Sequence, residues 1–460
     1  MPEGIVAGPT GSSGGLHIRT RSRLHINVHI IKVRDVRSRN LREALKFHSG
    51  LEIEAATDDC LSMTQSLLEP NSYDVIVVGG GPAGLAAAIA VAETGAMTAL
   101  IARKVPYADN RTTALLGDSI DLLEKLDVWR RCSSKAAALR TMRLVDDTGR
   151  LIRAPEVRFA SDEIGMDAFG YNIENRNLMV ALEERAAEIA NLDRFDDEAE
   201  SVAPGDESTL VRTRKDQTLS ACLVVGADGR HSRCREAAGI TVSSRALNQS
   251  ALTFNVTTAR SHQNVSTEFH TAEGPCVFVP LPGRRMSVVW VAAPKEAQRL
   301  MALDDDALSV AAEKQSHSIF GRVTVEPGRN MFPLAIEKPS HYGRRRIVLV
   351  GEAAHVVPPI GAQGLNMGLR DAGDIAEIVQ DAMAGDQDVG SDAVIGRFGR
   401  ARGADVASRT FAIDIANRTL LSDLLPAQAA RAVGMQLISS VGPLRRLAMR
   451  EGLSPFWRSL

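Results

Sequence analysis

The feature that most restricts this chain is a strand, a glycine turn and a helix in immediate succession. Val75-Ile76-Val77-Val78 is a short, wholly apolar run, the pattern of a parallel strand buried on both faces. Gly79-Gly80-Gly81-Pro82-Ala83-Gly84 follows without a spacer, and Leu85 to Ala96 reads as an alanine-rich helix. Gly79, Gly81 and Gly84 therefore supply GxGxxG in the context that gives the pattern meaning. The first glycine permits a tight turn, the second lets backbone approach a pyrophosphate, and the third lets helix and strand pack closely. The helix start offers that anion free N–H groups and a favourable dipole. The implied fold is α/β with a Rossmann-like lobe, in which Gly79, Gly81, Pro82, Ala83 and Gly84 hold a dinucleotide.

The second strand, Thr98-Ala99-Leu100-Ile101, departs from the usual pattern. A dinucleotide fold ordinarily ends this strand with an acid for the adenosine ribose. Here Ala102, Arg103 and Lys104 follow, so the ribose contact has no assigned residue. One such motif does not separate FAD from NAD.

Two further strand ends narrow the choice. Leu223-Val224-Val225 leads into Gly226-Ala227-Asp228-Gly229-Arg230-His231-Ser232-Arg233-Cys234-Arg235. Asp228, Gly229 and Arg235 make a polar corner at the carboxyl edge of a sheet, where open α/β sheets bind ligands. Ile347-Val348-Leu349-Val350 leads into Gly351-Glu352-Ala353-Ala354-His355 and then Pro358-Pro359-Ile360-Gly361-Ala362-Gln363-Gly364-Leu365-Asn366. Glu352 suits a sugar-like hydroxyl. The helix expected from Gln363 would bring its positive end to any anion near the loop.

In order and spacing these three motifs resemble the flavoprotein aromatic hydroxylases of the p-hydroxybenzoate hydroxylase type. The resemblance implies FAD as cofactor and NAD(P)H as co-substrate. Its first motif holds the FAD diphosphate, GADGxxSxxR (Asp228, Gly229, Ser232, Arg235) serves FAD and NAD(P)H, and Gly351-Glu352 holds the ribityl chain. Glu352 replaces the usual Asp. Asp109-Asn110-Arg111-Thr112-Thr113-Ala114-Leu115-Leu116, Tyr171-Asn172-Ile173-Glu174-Asn175-Arg176, Gly361-Ala362-Gln363-Gly364 and Met449-Arg450-Glu451-Gly452-Leu453 are similar to the UbiH-type ubiquinone-biosynthesis hydroxylases, over residues 73–455. That narrower likeness implies ring hydroxylation of a polyprenyl phenol, with O2 reacting at the flavin C4a position. It adds Arg111, Gln363, Gly364 and Asn366 to the cofactor contacts. Backbone N–H groups of Gly364, Leu365 and Asn366 would face the flavin N1–O2 locus. Gln363 and His355 are secondary catalytic candidates, and His355 is read first as a structural residue of its loop.

The cofactor carries the difficult chemistry, which accounts for a chain with neither catalytic triad nor metal cluster in its sequence. Rival readings are another aromatic hydroxylase, a prenyl reductase, a halogenase, or a non-catalytic flavoprotein subunit of a biosynthetic complex. Trp290 is isolated, whereas a halogenase needs Trp-x-Trp. The absence of a second GxGxxG disfavours an enzyme with two dinucleotide domains.

A net charge of -2 and 4% aromatics argue against nucleic acid as a partner. Five scattered cysteines (Cys60, Cys132, Cys222, Cys234, Cys276) form no CxxC and fit a reducing cytoplasm. No apolar run of the length that spans a bilayer exists, which leaves peripheral contact with an inner membrane open. The expected partners are a lipophilic phenol and a ubiquinone-biosynthesis complex.

Residues 1–50 hold nine Lys/Arg against three Asp/Glu, and GPTGSSGG occupies 8–15. Residues 1–70 are expected to be a disordered or mis-assigned extension, with 1–62 dispensable and Met63 just ahead of the first clear strand. The remainder divides into an FAD lobe (71–145, 172–243, 336–390), a substrate lobe (146–171, 244–335) built as an antiparallel sheet, and a helical region (391–460).

Overall fold

The computed structural model describes residues 15–17, 27–29, 71–104, 110–422 and 424–453. The expectations for 1–62 and the extension as a whole fall almost entirely outside these residues, as does Asp109. Within residues 1–69, Gly15–His17 pairs antiparallel with Asn27–His29. Residues 70–460 form one compact unit.

That unit is mixed α/β, and its cofactor lobe is set by strand register. Asn71–Val78 lies between Thr98–Ile101 and Thr218–Gly226, parallel to both, and Leu192–Phe195 extends the sheet beyond Thr98–Ile101. Ile347–Leu349 pairs parallel with the last residues of Thr218–Gly226. The antiparallel strands Ala199–Pro204 and Thr209–Thr213 complete the far side. Val78 stands opposite both Ile101 and Gly226, and Gly226 opposite Leu349. All three motifs therefore leave the sheet at one carboxyl edge, though they lie far apart in sequence.

Helices cover this sheet. Pro82–Ala92 begins with proline at its first turn and buries nine of its eleven residues, so it is apolar on every side. Its neighbour Gln363–Ala384 buries Met367, Leu369, Ile375 and Val379 in the same core. Each such side chain contributes about 1.5–3 kcal/mol relative to exposure. Asn175–Ala186 closes the other flank and stops short of the Ala190 end expected from its pattern.

The second sheet is larger than the sequence suggested. Its centre is the 17-residue strand Val242–Thr258, paired antiparallel with Arg285–Ala292 and Asn330–Pro339. Pro275–Leu281 and Val265–His270 follow in order, and Thr141–Asp146 then joins parallel to Val265–His270. The boundary drawn at residue 145 thus falls inside a strand of the second sheet, and the boundary at 243 cuts its longest strand. Phe254, Phe269, Phe278 and Trp290 build the core beneath it. Helices Asp392–Leu421, Leu425–Ser440 and Gly442–Leu453 form the C-terminal region.

Candidate cofactor site

The turn after the first strand is built by steric exclusion. Gly79 has φ +117°, and a Cβ there would sit 2.2 Å from the Ala227 carbonyl oxygen. A Cβ on Gly84 would sit 2.1 Å from the Gly79 oxygen. Gly81 differs: a Cβ there meets nothing within 4 Å and projects from a residue that lines a cavity of about 410 Å³. No side chain caps the helix that follows, and its first turn holds no acid. Its N–H groups are left for an outside acceptor, the arrangement an anion needs.

The cavity runs from this turn to the second sheet. Gly81, Pro82, Ala83 and Gly84 line one end with Gly351 and Glu352, while Thr253, Asn255, Ser287 and Phe332 line the other. Arg111, Gly229, His355, Gly364 and Leu365 line it as well. Its size falls within the ordinary range of small-molecule sites. Glu352 is exposed, and its carboxylate has no protein partner among the described residues.

The third motif bends sharply before its helix. Gly361 (φ 64°) and Ala362 (φ 54°) are both left-handed, and Ala362 is the residue that precedes the helix Gln363–Ala384. Strain of about 1–3 kcal/mol in a non-glycine residue persists only where the surroundings hold it. Asn366, fully buried, does the holding. Its Nδ2 donates to the carbonyls of Ala362 (2.6 Å) and Ala114 (2.8 Å), and its Oδ1 accepts from Leu116 N (2.9 Å). The Asn366 side chain is therefore an architectural brace, a role the sequence reading did not give it.

His355 is 3% exposed. Its Nε2 lies 2.8 Å from Asp371 Oδ2, and its Nδ1 is buried with no protein partner. Asp371 also accepts from Gly351 N at 2.8 Å and from Arg402. Burial pushes the Asp371 carboxyl up, but the Arg402 charge, His355 and the Gly351 N–H outweigh it and bring it to about 2. His355 is thus fixed from behind by a charged carboxylate.

The second motif is used locally. Asp228 Oδ2 accepts from Arg233 N (2.7 Å) and Cys234 N (3.1 Å), while Oδ1 is buried and unpartnered. Arg235 donates to the carbonyls of Ala353 (2.9 Å) and Arg230 (2.7 Å). Its guanidinium ties the second motif to the third. Gln363 turns away: its side chain lines a separate cavity on the other face of the loop.

Arg194 was not foreseen. Its Nη1 lies 3.8 Å from where a Gly80 Cβ would sit, at the strand end lacking the ribose acid. Its Nη2 donates to Glu183 at 2.7 Å, whereas Nε and Nη1 are buried without partners. Its only sequence signal was its place two residues into a strand flanking Thr98–Ile101. Asn255 was missed too; its Nδ2 donates to the Asn110 carbonyl at 3.1 Å and its Oδ1 is unpartnered.

An uncapped helix start, an open cradle at Gly81 and unpartnered polar atoms at three strand ends suit a dinucleotide with a pyrophosphate and a polar ring. Fold and site together define a FAD-dependent oxidoreductase with an inserted β-sheet. The model of the FAD binding domain family matches residues 72–391. Ubiquinone hydroxylase UbiL of Rhodospirillum rubrum is 30% identical over 387 residues, 83% of this chain and 89% of that protein. The 3-demethoxyubiquinol 3-hydroxylase of Escherichia coli is 26% identical, over 83% of this chain and 98% of its own length. The crystal structure of p-nitrophenol 4-monooxygenase from Pseudomonas putida superposes with a TM-score of 0.70 at 18% identity, covering 84% of this chain and 99% of that one. This last likeness concerns the fold. The chain belongs to the FAD binding domain family, as a flavoprotein of the monooxygenase type.

Proposed function

We propose that the protein hydroxylates the aromatic ring of a polyprenyl phenol in ubiquinone biosynthesis, consuming NAD(P)H and O2. One oxygen atom enters the ring; the other leaves as water, the hydride of NAD(P)H supplying two electrons and one proton and solvent the second proton. The observation that carries this is the single cavity shared by the cofactor cradle and the second sheet. Thr253, Asn255, Ser287 and Phe332 line it on the side of the second sheet, which supports a ring bound there against the cofactor. FAD, when bound, supplies hydride acceptance and oxygen activation. The chain supplies position and charge. Gly81, Pro82, Ala83 and Gly84 hold the diphosphate, Glu352 a ribityl hydroxyl, and Arg194 the adenosine side that Ala102 cannot serve. The uncapped start of Gln363–Ala384, with Gly364 and Leu365 on the cavity, directs N–H groups at negative charge on the flavin ring. His355 holds the loop from behind through Asp371.

The lipophilic substrate fits a protein in peripheral contact with a membrane and with other enzymes of the pathway. Leu425, Val433 and Leu437 on the helix Leu425–Ser440, and Leu424 just before it, are exposed, which supports such contact. Among the described residues no helix is long and apolar enough to cross a membrane. The test is anaerobic reduction by NADH and by NADPH, followed by turnover under ¹⁸O2 with a prenylated phenol. One labelled oxygen in the product is expected. Reduction that no phenol accelerates, with no labelled product, would leave a non-catalytic flavoprotein.

A further inference from the structure

A second cavity of about 320 Å³ lies on the other face of the third-motif loop. Pro359, Gly364 and Leu365 line the cofactor cavity, whereas Ile360, Gly361 and Gln363 line this one. Its walls are oily, with Phe159, Phe169, Ile413, Met449 and Leu453 among them. Two polar groups interrupt that lining, and both are unsatisfied. Arg409, 7% exposed, donates Nη1 to the Glu451 carbonyl at 2.7 Å, but Nε and Nη2 make no hydrogen bond. Gln363, also 7% exposed, donates Nε2 to the Gly361 carbonyl, and its Oε1 accepts from nothing. A buried donor and a buried acceptor left open in one apolar pocket are costly unless a ligand answers them.

The charges around Arg409 decide what kind of ligand. Arg370 and Arg402 pair with Asp371, Asp374 and Asp405, and Arg409 Nε lies 3.8 Å from Asp405 Oδ1. Three guanidiniums thus face three carboxylates, and the Glu451 and Asp118 charges also act on Arg409, so the positive charge is already compensated. An anionic head would enter as an uncompensated buried charge. A hydroxyl answers both openings, because it accepts from Arg409 and donates to Gln363 Oε1; an ether or ketone can only accept. The mouth is apolar. Ala412 and Ala416 are exposed, and Phe411 and Leu447, on the same two helices, are 68% and 59% exposed.

We propose that this cavity binds an uncharged, hydroxyl-bearing apolar lipid, a prenylated phenol. Its hydroxyl is held by Arg409 and Gln363, and its chain leaves between the helices Asp392–Leu421 and Gly442–Leu453. The choice of a prenylated phenol rests on the function proposed above; the demand for an uncharged hydroxyl lipid does not.

The test is equilibrium dialysis of the FAD-loaded protein against 2-geranylphenol, its methyl ether and palmitate. Wild type should bind the phenol about tenfold or more tightly than either of the others. Ala412→Trp, at the exposed mouth, should weaken phenol binding about tenfold with FAD content unchanged. Arg409→Met should bring phenol and methyl ether to within about twofold of each other. If Arg409→Met does not fold, the phenol and methyl-ether binding that Ala412→Trp removes from wild type decides the head-group claim, because the cofactor cavity is the same in both. Palmitate binding as tightly as the phenol would overturn the uncharged-lipid assignment. Wild-type affinity in both Ala412→Trp and Ala416→Trp would overturn the site. Phenol-stimulated NAD(P)H oxidation is scored apart: its absence would remove the proposed function and leave the binding constants standing.

Discussion

Arg402 donates its Nε to Asp371, 31 residues earlier in the chain, and both side chains are sealed from solvent. The same guanidinium reaches Asp374 (2.8 Å) and Asp405 (2.7 Å). Asp371 in turn holds Gly351 N and His355. The helix Asp392–Leu421 is therefore wired to the base of the cofactor loop through one arginine. Removing one partner of a buried pair leaves the other charge uncompensated. Arg402→Met is expected to lower stability by about 3–5 kcal/mol, read from urea unfolding, and to loosen FAD. A loss under about 1 kcal/mol would mean that the helix docks without this network.

The same network predicts an acid limb. The Asp371 carboxyl lies below its ordinary value in the folded protein, at about 2. A carboxyl depressed on folding stabilises the protein above its unfolded pKa of about 4. That contribution is lost as pH falls from about 4 toward 2. The wild-type urea midpoint should drop through this window. Asp371→Asn should be less stable at neutral pH yet decline less steeply, and parallel declines would remove Asp371 as the source.

How much of this was legible in the sequence follows from the range of each interaction. The turn at Gly79–Gly84 was readable because its constraints lie within a few residues: a carbonyl too near for a Cβ, a helix too near a strand. The convergence of the three motifs was readable because each is a buried strand followed by a turn, and open α/β sheets gather such turns at one edge. The strand Thr141–Asp146 was misplaced because its partner, Val265–His270, is more than a hundred residues away and the pairing leaves no local mark. Arg402, Arg194 and the bracing side chain of Asn366 were missed for the same reason. Arg402 acts on Asp371 and Asn366 on Ala114 and Leu116, all remote in sequence, and the open nitrogens of Arg194 face a glycine turn more than a hundred residues earlier. Gln363 lines the cavity on the other face of its loop, after two successive left-handed residues, Gly361 and Ala362, whose conformation leaves no mark in the sequence pattern.

Gly79 and Gly81 should fail in different ways. Gly79→Ala adds a Cβ against a carbonyl at an unfavourable φ, so the protein itself should be destabilised, by roughly 1–3 kcal/mol or more. Gly81→Val adds bulk only toward the cavity. It should melt near wild type as apoprotein and fail to retain FAD. Thermal melts of apoprotein with FAD titration separate the two, and full FAD affinity in Gly81→Val would move the diphosphate away from this turn.

Arg194 carries the adenosine-side prediction. Two of its guanidinium nitrogens are buried without partners beside the glycine turn. A charged hydrogen bond is worth about 1.5–3 kcal/mol, so Arg194→Met should weaken FAD about tenfold or more. The lost ion pair with Glu183 should cost little stability by comparison. Riboflavin binding, which lacks the adenosine, should be unaffected; an equal loss for riboflavin would assign Arg194 to the fold instead.

Glu352 offers the sharpest test of cofactor placement. It sits in the first turn of a short 3-10 helix, Gly351–Ala353, with its carboxylate exposed to the cavity. Gly351 is fixed from behind by Asp371 through its N–H, so the backbone that carries Glu352 has little freedom to move. Glutamate reaches one methylene further than the aspartate common in the family. A shorter acid should still meet the ribityl hydroxyl, directly or through one water, because the acceptor charge is kept. Glu352→Asp should therefore retain FAD. Glu352→Ala should lose a charge-assisted hydrogen bond, about 1.5–3 kcal/mol, and weaken FAD roughly ten- to a hundredfold. Fluorescence titration of the apoproteins measures both. Equal affinity in wild type and Glu352→Ala would take Glu352 out of the site and shift the ribityl contact to another residue of the cavity.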